Sequence, residues 1–422
     1  MTDLRVTGGR PLRGRIRVPG DKSISHRALL LAARAEGTSV VRGLSDGDDV
    51  CRTRSAIEAL GAGVDGERIE GGSGRLGEPD KVLDVGNSGT GIRLLAGFCA
   101  GFDWLTVVAG DASVARRPMD RVVEPLRTMG ATVDGRQGGR YPPLVVRGGG
   151  LAGIDYTLPV ASAQVKTAVL LAGLGAEGDT VVREPVPTRA HTEEMLALCG
   201  ADIEVIGDGA ERVVRLRAST LQPFDLDVPG DPSQAAFWVV AACITPGSDL
   251  VVDQVYLGPG RAGFLDVLRR MGADVEQTGP DGVRARYGPM HGTEVGGVEV
   301  PGLIDEIPVL AVAAAVADGP TLFGGAAELR VKESDRIATV AEGLRAFGAA
   351  VETRADGLIV GGKSTLVAGR ATAEGDHRVA MAMAVAAMAA DGESVVEGWE
   401  SVATSYPAFE ADMASLGGES RS

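Results

Sequence analysis

Ten residues from Val18 to Arg27, VPGDKSISHR, set an Asp, a Lys, two Ser, a His and an Arg just ahead of the apolar run ALLLAARA. The segment reads as the mouth of a helix that is otherwise apolar. A helix N-terminus presents unpaired N–H groups and a partial positive charge, and it binds anions readily. The pattern recurs. Polar starts to apolar helical runs lie at Asp21, Asn87, Ser162, Pro232, Asp305 and Asp376. One Ser, Asn or Asp per start is an ordinary cap. These starts hold more: Lys22, Ser23 and Arg27 at the first; Gly89, Thr90 and Arg93 at the second; Gln164 and Lys166 at the third; His377 and Arg378 at the last. A second series of helix starts adds Arg116 and Arg117, then Arg189, then Lys332, Glu333, Asp335 and Arg336. Capping does not need this surplus. A ligand with several negative charges does.

The elements that must carry these residues form an internal repeat. Six segments end a helical pattern on a small-residue turn, usually with a strand after it; their first glycines are Gly61, Gly130, Gly200, Gly272, Gly348 and Gly417, 69 to 76 residues apart. Glycine there is the expected left-handed helix stop. The apolar helices interleave with this series at a similar spacing. Six copies of one unit follow, each with one buried helix, one amphipathic helix and short strands. The turn VPGD at Val18–Asp21 returns at Val228–Asp231, three repeats later. Two α/β domains of three repeats each are expected: residues 20–229, and 1–19 plus 230–422. The N-terminal strands would complete the second domain, with two chain crossings as the hinge. The last repeat, cut off five residues after Gly417, is expected to lack its strand.

The chain has 422 residues and a net charge of -15, with 44% hydrophobic and 23% charged residues. That is a soluble composition for two or three domains. It excludes nucleic acid as the main partner, since phosphate backbones need a basic surface. The longest apolar run, Val379–Ala390, is too short to cross a bilayer, so no membrane role is expected. The N-terminus lacks a signal-peptide pattern, and the four cysteines form no metal or disulfide spacing; a reduced cytoplasmic setting is expected. No metal site is expected. His26 reads as a structural hydrogen bonder, His191 and His291 as surface residues, and Lys166 as a salt-bridge residue on another face from Gln164.

Seven motifs then carry a resemblance. PGDKSISHRALLLAA, GNSGTGIRLL, RRPMDRVVEPLRTMGA, SAQVKTAVLLAGL, LIDEIPVLAVAAA, RVKESDRI and DHRVAMA run in order from about Val18 to Leu416. They resemble the 5-enolpyruvylshikimate-3-phosphate synthase family. The resemblance implies two inside-out α/β domains of three βαβαββ units each, which close around small anionic substrates. It implies transfer of the enolpyruvyl group of phosphoenolpyruvate to the 5-hydroxyl of shikimate 3-phosphate, with release of phosphate, by a monomer that needs no cofactor. By the same resemblance Lys22, Arg117 and Gln164, with Gly89 close by, face the phosphoenolpyruvate phosphate, and Arg336 and Arg378 clamp its carboxylate. Ser23 and Arg27 hold the shikimate carboxylate. Ser162, Ala163 and Arg189 take the 3-phosphate, which Lys22 and Gln164 also approach. Lys332 and Asp305 reach the hydroxyls. Asp305 is the candidate base, and Glu333 and Lys22 handle the proton at C3.

Three positions depart from the family pattern: Gly375 replaces an Asn, Thr404 a Lys that touches phosphate in some members, and Leu94 a Pro. Gly89 leaves room for glyphosate, the family's inhibitor. The nearest rival is UDP-N-acetylglucosamine enolpyruvyl transferase, similar in fold and chemistry. That family has Asn after the site Lys, where this chain has Ser23, and a reactive Cys or Asp in a mobile loop, where GDASVARRPMD has no Cys but does hold Asp111. A ring-forming clamp of the same repeats would need a basic surface and no acid–base pair, and the chain is acidic.

Overall fold

The structure is a computed structural model that describes residues 2–207 and 211–421. It divides into two compact units, a contiguous one, Gly20–Val228, and a composite one, Met1–Pro19 with Pro229–Ser422. The polypeptide passes between them at Pro19–Gly20 and at Val228–Pro229.

Each unit holds three βαβαββ repeats, and each repeat makes one four-stranded sheet. The second repeat shows the plan. Leu83–Asp84 runs parallel to Leu105–Ala109, and helix Gly89–Ala100 makes the crossover that a parallel pair requires. Helix Asp120–Thr128 follows, and Thr132–Gly135 and Tyr141–Arg147 close the sheet antiparallel. The first repeat of the contiguous unit takes its parallel edge strand, Asp225–Asp227, from the far end of that unit. In the composite unit Arg13–Arg17 supplies the equivalent edge beside Asp249–Asp253. The last repeat does have its strand: Glu419–Arg421 pairs antiparallel with Asp3–Thr7, which also pairs with Glu393–Glu397. Three residues suffice, because the long partner comes from the N-terminus.

The first helix of each repeat lies inside. All thirteen residues of Pro232–Ile244 are buried, and it packs with Ile307–Val316 and His377–Ala389 as the core of the composite unit. A helix apolar all round must be covered all round, which leaves the sheets and the second helices outside. In the contiguous unit Gly89–Ala100 crosses Ala163–Gly173 so closely that a Cβ at Gly97 would lie 2.2 Å from the Ala168 carbonyl oxygen. The six turn glycines all have positive φ, from 74° to 107°. This is the left-handed stop that lets each second helix end abruptly.

Candidate active site

The buried helices are capped at their starts, so their polar residues are held in place. Asp21, Ser88, Ser162, Asp231 and Asp376 each accept a hydrogen bond from a first-turn N–H. Two starts differ from the sequence expectation. The second helix is capped by Ser88, not Asn87, and the fifth begins at Ile307 with no side-chain cap. Asp305 is therefore left to pair elsewhere.

In the contiguous unit Lys22 Nζ donates to Asp49 Oδ2 at 3.0 Å, with both side chains largely covered. Arg27, 3% exposed, donates to Thr192 Oγ1 (2.7 Å), Thr167 Oγ1 (2.6 Å) and the Ser23 carbonyl (2.8 Å). These bonds orient the guanidinium. Arg117 Nη2 donates to Asn87 Oδ1 (3.0 Å) and Ser113 Oγ (3.2 Å). It lies so near Gly89 that a Cβ there would stand 2.2 Å from Arg117 Nη1. Gln164 is pinned at both ends: Oε1 accepts from Arg93 Nη1 (2.9 Å) and Nε2 donates to Thr90 Oγ1 (2.9 Å). Arg93 also holds the Gly89 carbonyl at 3.0 Å. Ser162 and Ala163 form the half-buried start of helix Ala163–Gly173.

Arg189 is placed from behind. Its carbonyl accepts from Lys166 Nζ at 3.0 Å, and Lys166 also pairs with Glu193 (2.7 Å) and Glu184 (3.1 Å). Arg212 joins both carboxylates, and Glu184 Oε1 accepts from the Thr188 N–H. Lys166 is fully buried, and burial lowers its pKa despite the two carboxylates. His191 belongs to this inner face. It is fully buried, contrary to the surface position expected, because the first turn of helix His191–Leu198 points inward to reach Arg27 and Lys166. His291 is exposed.

In the composite unit three carboxylates meet one guanidinium. Arg336, 2% exposed, donates to Glu333 Oε2 (2.7 Å), Asp376 Oδ2 (2.8 Å) and Asp305 Oδ1 (3.2 Å). Burial alone would lower its pKa, but Asp376, Glu333 and Asp305 together raise it above the ordinary arginine value. Asp376 was legible only as a helix cap; here it caps with one oxygen and binds Arg336 with the other. Arg378 is 3% exposed and its Nη1 has no hydrogen-bond partner among the described residues, a buried donor left for an acceptor. Lys332 leans on Glu328 at 3.3 Å, along its own turn. Thr404 is half-buried in the turn Trp399–Thr404. Gly375 has φ 76°, a conformation that Gly and Asn both tolerate, which accounts for that departure from the family pattern. Leu94 is fully buried in its helix.

Asp111, the residue of interest for the rival reading, is spent on its own loop: Oδ1 accepts from the Ser113 and Val114 N–H groups and Oδ2 from Asn87 Nδ2. The family model described as EPSP synthase (3-phosphoshikimate 1-carboxyvinyltransferase) matches residues 6–413. The chain belongs to the EPSP synthase family. A 3-phosphoshikimate 1-carboxyvinyltransferase of Pelotomaculum thermopropionicum is 48% identical over 96% of this chain and 97% of its own. One of Geobacillus thermodenitrificans is also 48% identical, over 96% of each chain. Among solved structures, an EPSP synthase from Acinetobacter baumannii superposes with a TM-score of 0.86 at 38% identity, each chain covered in full. The enolpyruvyl transferase NikO from Streptomyces tendae, at 21% identity and a TM-score of 0.79, shares the fold of the EPSP synthases.

Proposed function

We infer that the chain transfers the enolpyruvyl group of phosphoenolpyruvate to the 5-hydroxyl of shikimate 3-phosphate and releases phosphate. The observation that carries this is the 48% identity, over nearly the whole length, with relatives of that activity. The motif residues Lys22, Arg117, Asp305, Glu333, Arg336 and Arg378 are all present.

The chemistry assigns each group a task. Asp305 takes the proton of the 5-hydroxyl as its oxygen adds to C2 of phosphoenolpyruvate, and Glu333 and Lys22 handle the proton delivered to C3. The product of addition is a tetrahedral ketal phosphate. It loses a C3 proton and phosphate, and the double bond returns. Lys22, Arg117 and Gln164 hold the phosphate that leaves. Arg336 and Arg378 hold the carboxylate, for which a planar guanidinium fork is suited. Arg378 Nη1 is an unused buried donor, while Arg336 must share its fork with its three acids. Ser23 and Arg27 take the shikimate carboxylate; Ser162, Ala163 and Arg189 take the 3-phosphate; Lys332 reaches a hydroxyl. The enzyme works as a monomer in a reducing cytoplasm, to which its four free cysteines are suited.

The direct test is phosphate release from phosphoenolpyruvate with shikimate 3-phosphate or UDP-N-acetylglucosamine as acceptor. Release is expected with the first only. Release with the nucleotide sugar alone would overturn the acceptor assignment around Ser23, Arg27 and Arg189 while leaving the fold intact.

A further inference from the structure

Several buried charges in this protein meet an opposite charge: Lys166 meets Glu184 and Glu193, Arg261 meets Asp231, and Arg336 meets Asp376. Arg34 has no such ion pair among the described residues. It is 8% exposed, and its Nη1 has no hydrogen-bond partner among the described residues. Its guanidinium carbon stands 4.6 Å over the Phe102 ring. Added Cβ atoms at Gly101 and Gly175 would lie 2.6 Å from Nη1 and 3.0 Å from Nη2, so two glycines make room for it. The nearest acid in sequence, Glu36, instead accepts from the Ser73 N–H at 2.8 Å. Burial pushes the Arg34 pKa down to about 10, and no carboxylate opposes that shift. An unpaired buried charge is costly, and an anion bound beside it would offset that cost.

Arg34 lines a cavity of about 270 Å³ in the contiguous unit, together with Ser73, Leu174, Ser219, Thr220 and Leu221. Ser219 is fixed: its hydroxyl donates to the Arg217 carbonyl and accepts from the Asp202 N–H. Ser73 and Thr220 are exposed residues of this lining. We propose that this cavity binds a phosphate group, free or on a small ester, with Arg34 as its counter-ion and Ser73 and Thr220 as further donors. A guanidinium with hydroxyls from two other segments suits an anion with three or more acceptor oxygens better than a two-oxygen carboxylate. The site lies apart from the substrate residues. Helix Lys22–Arg34 has Lys22 at its first residue and Arg34 at its last, about 18 Å apart at 1.5 Å per residue.

Trp104 offers a local reporter, since its ring stacks on Phe102 at 4.2 Å and the other two tryptophans, Trp238 and Trp399, belong to the composite unit. The full-length protein, ¹⁵N-labelled at tryptophan, is titrated with inorganic phosphate and, in a second arm, glycerol 3-phosphate. A saturable shift of the Trp104 indole signal is expected, unchanged in Arg117→Ala and at least about tenfold weaker in Arg34→Met. Thr220→Trp, a change of the lining that leaves Arg34 in place, is expected to weaken it similarly, and decides the matter if Arg34→Met fails to fold. Tighter binding of the ester marks a phosphate ester as the ligand; equal binding marks the free ion. No saturable shift in the wild type, a shift retained in both cavity variants, one lost in Arg117→Ala, or equal potency of acetate would each overturn the proposal.

Discussion

At the scale of single residues, the proposed phosphoenolpyruvate phosphate site turns on the absence of one carbon. Arg117 lies where a Cβ on Gly89 would be, and its Nη2 is held by Asn87 and Ser113. Gly89→Ala must push the guanidinium away, and the move is local because the obstacle is the far end of a flexible side chain. The expected result is a KM for phosphoenolpyruvate raised about tenfold or more, worth about 1.4 kcal/mol, with the melting temperature little changed. Steady-state kinetics beside a thermal melt check it; an unaltered KM would remove Arg117 from the phosphate site. Lys22, Arg27, Arg117, Gln164 and Arg336 could be named from motifs because each is carried by its own short stretch of sequence. Their partners could not. Asp49, Thr192 and Asp376 lie 27, 165 and 40 residues from the groups they hold, and each reads locally as a helix-start residue. Only the fold reveals that a capping acid such as Asp376 also anchors a guanidinium.

Elements hold the site through buried polar joints between helices, and two of these joints can be tested. Lys166 ties helix Ala163–Gly173 to strand Thr180–Glu184, helix His191–Leu198 and the Arg189 carbonyl. Lys166→Met leaves two buried carboxylates facing Arg212 alone. Removing one partner of a buried pair costs about 3–5 kcal/mol, and the Arg189 loop loses its tether. Urea unfolding is expected to show that loss, and surviving enzyme a raised KM for shikimate 3-phosphate; a stable variant with normal KM would refute the tether. The second joint is His26, fully buried on helix Lys22–Arg34, with Nδ1 2.7 Å from Thr53 Oγ1 of helix Asp48–Ala59. Burial chiefly, with Lys22 and Arg27 adding to it, lowers its pKa well below 6.5. The folded protein then keeps His26 neutral while the unfolded chain protonates it. Its contribution is complete above about pH 6.5 and is lost as pH falls toward the folded pKa, by up to about 1.4 kcal/mol per pH unit. The stability gap between wild type and His26→Gln should therefore narrow from pH 7.5 to pH 5; parallel curves would mean that His26 is not buried neutral. The hydrogen-bonding role of His26 was readable from its place before Arg27 in an apolar helix. The burial of His191 was not, since the polar run AHTEE at a helix start reads as surface until the inward first turn is seen.

The whole molecule repeats one sequence pattern six times, and that is why so much of its architecture was legible. Gly61, Gly130, Gly200, Gly272, Gly348 and Gly417 punctuate the chain at near-constant spacing, and every one occupies the left-handed conformation its position requires. What the pattern hid was the short strand that closes each unit at its C-terminal end. Glu419–Arg421 is too short and polar to announce itself, and Asp225–Asp227 closes a sheet that begins almost two hundred residues earlier. That closure has a consequence. Every sheet of the contiguous unit is completed by strands within Gly20–Val228, and its buried helices pack on one another. The segment therefore carries a full core and leaves no half-made sheet among its described residues, whereas the composite unit needs Asp3–Thr7 and Arg13–Arg17 from across the insertion. A fragment of residues 20–228 is expected to unfold cooperatively on its own. It is expected to bind shikimate 3-phosphate through Ser23, Arg27, Ser162 and Arg189, and to release no phosphate from phosphoenolpyruvate, because Asp305, Glu333, Arg336 and Arg378 are absent. Calorimetric melting, ligand titration and the phosphate assay read the three properties separately. A fragment without a cooperative transition would show that the contiguous unit depends on its neighbour for stability. A folded fragment that ignores shikimate 3-phosphate would move the acceptor site away from these helix starts.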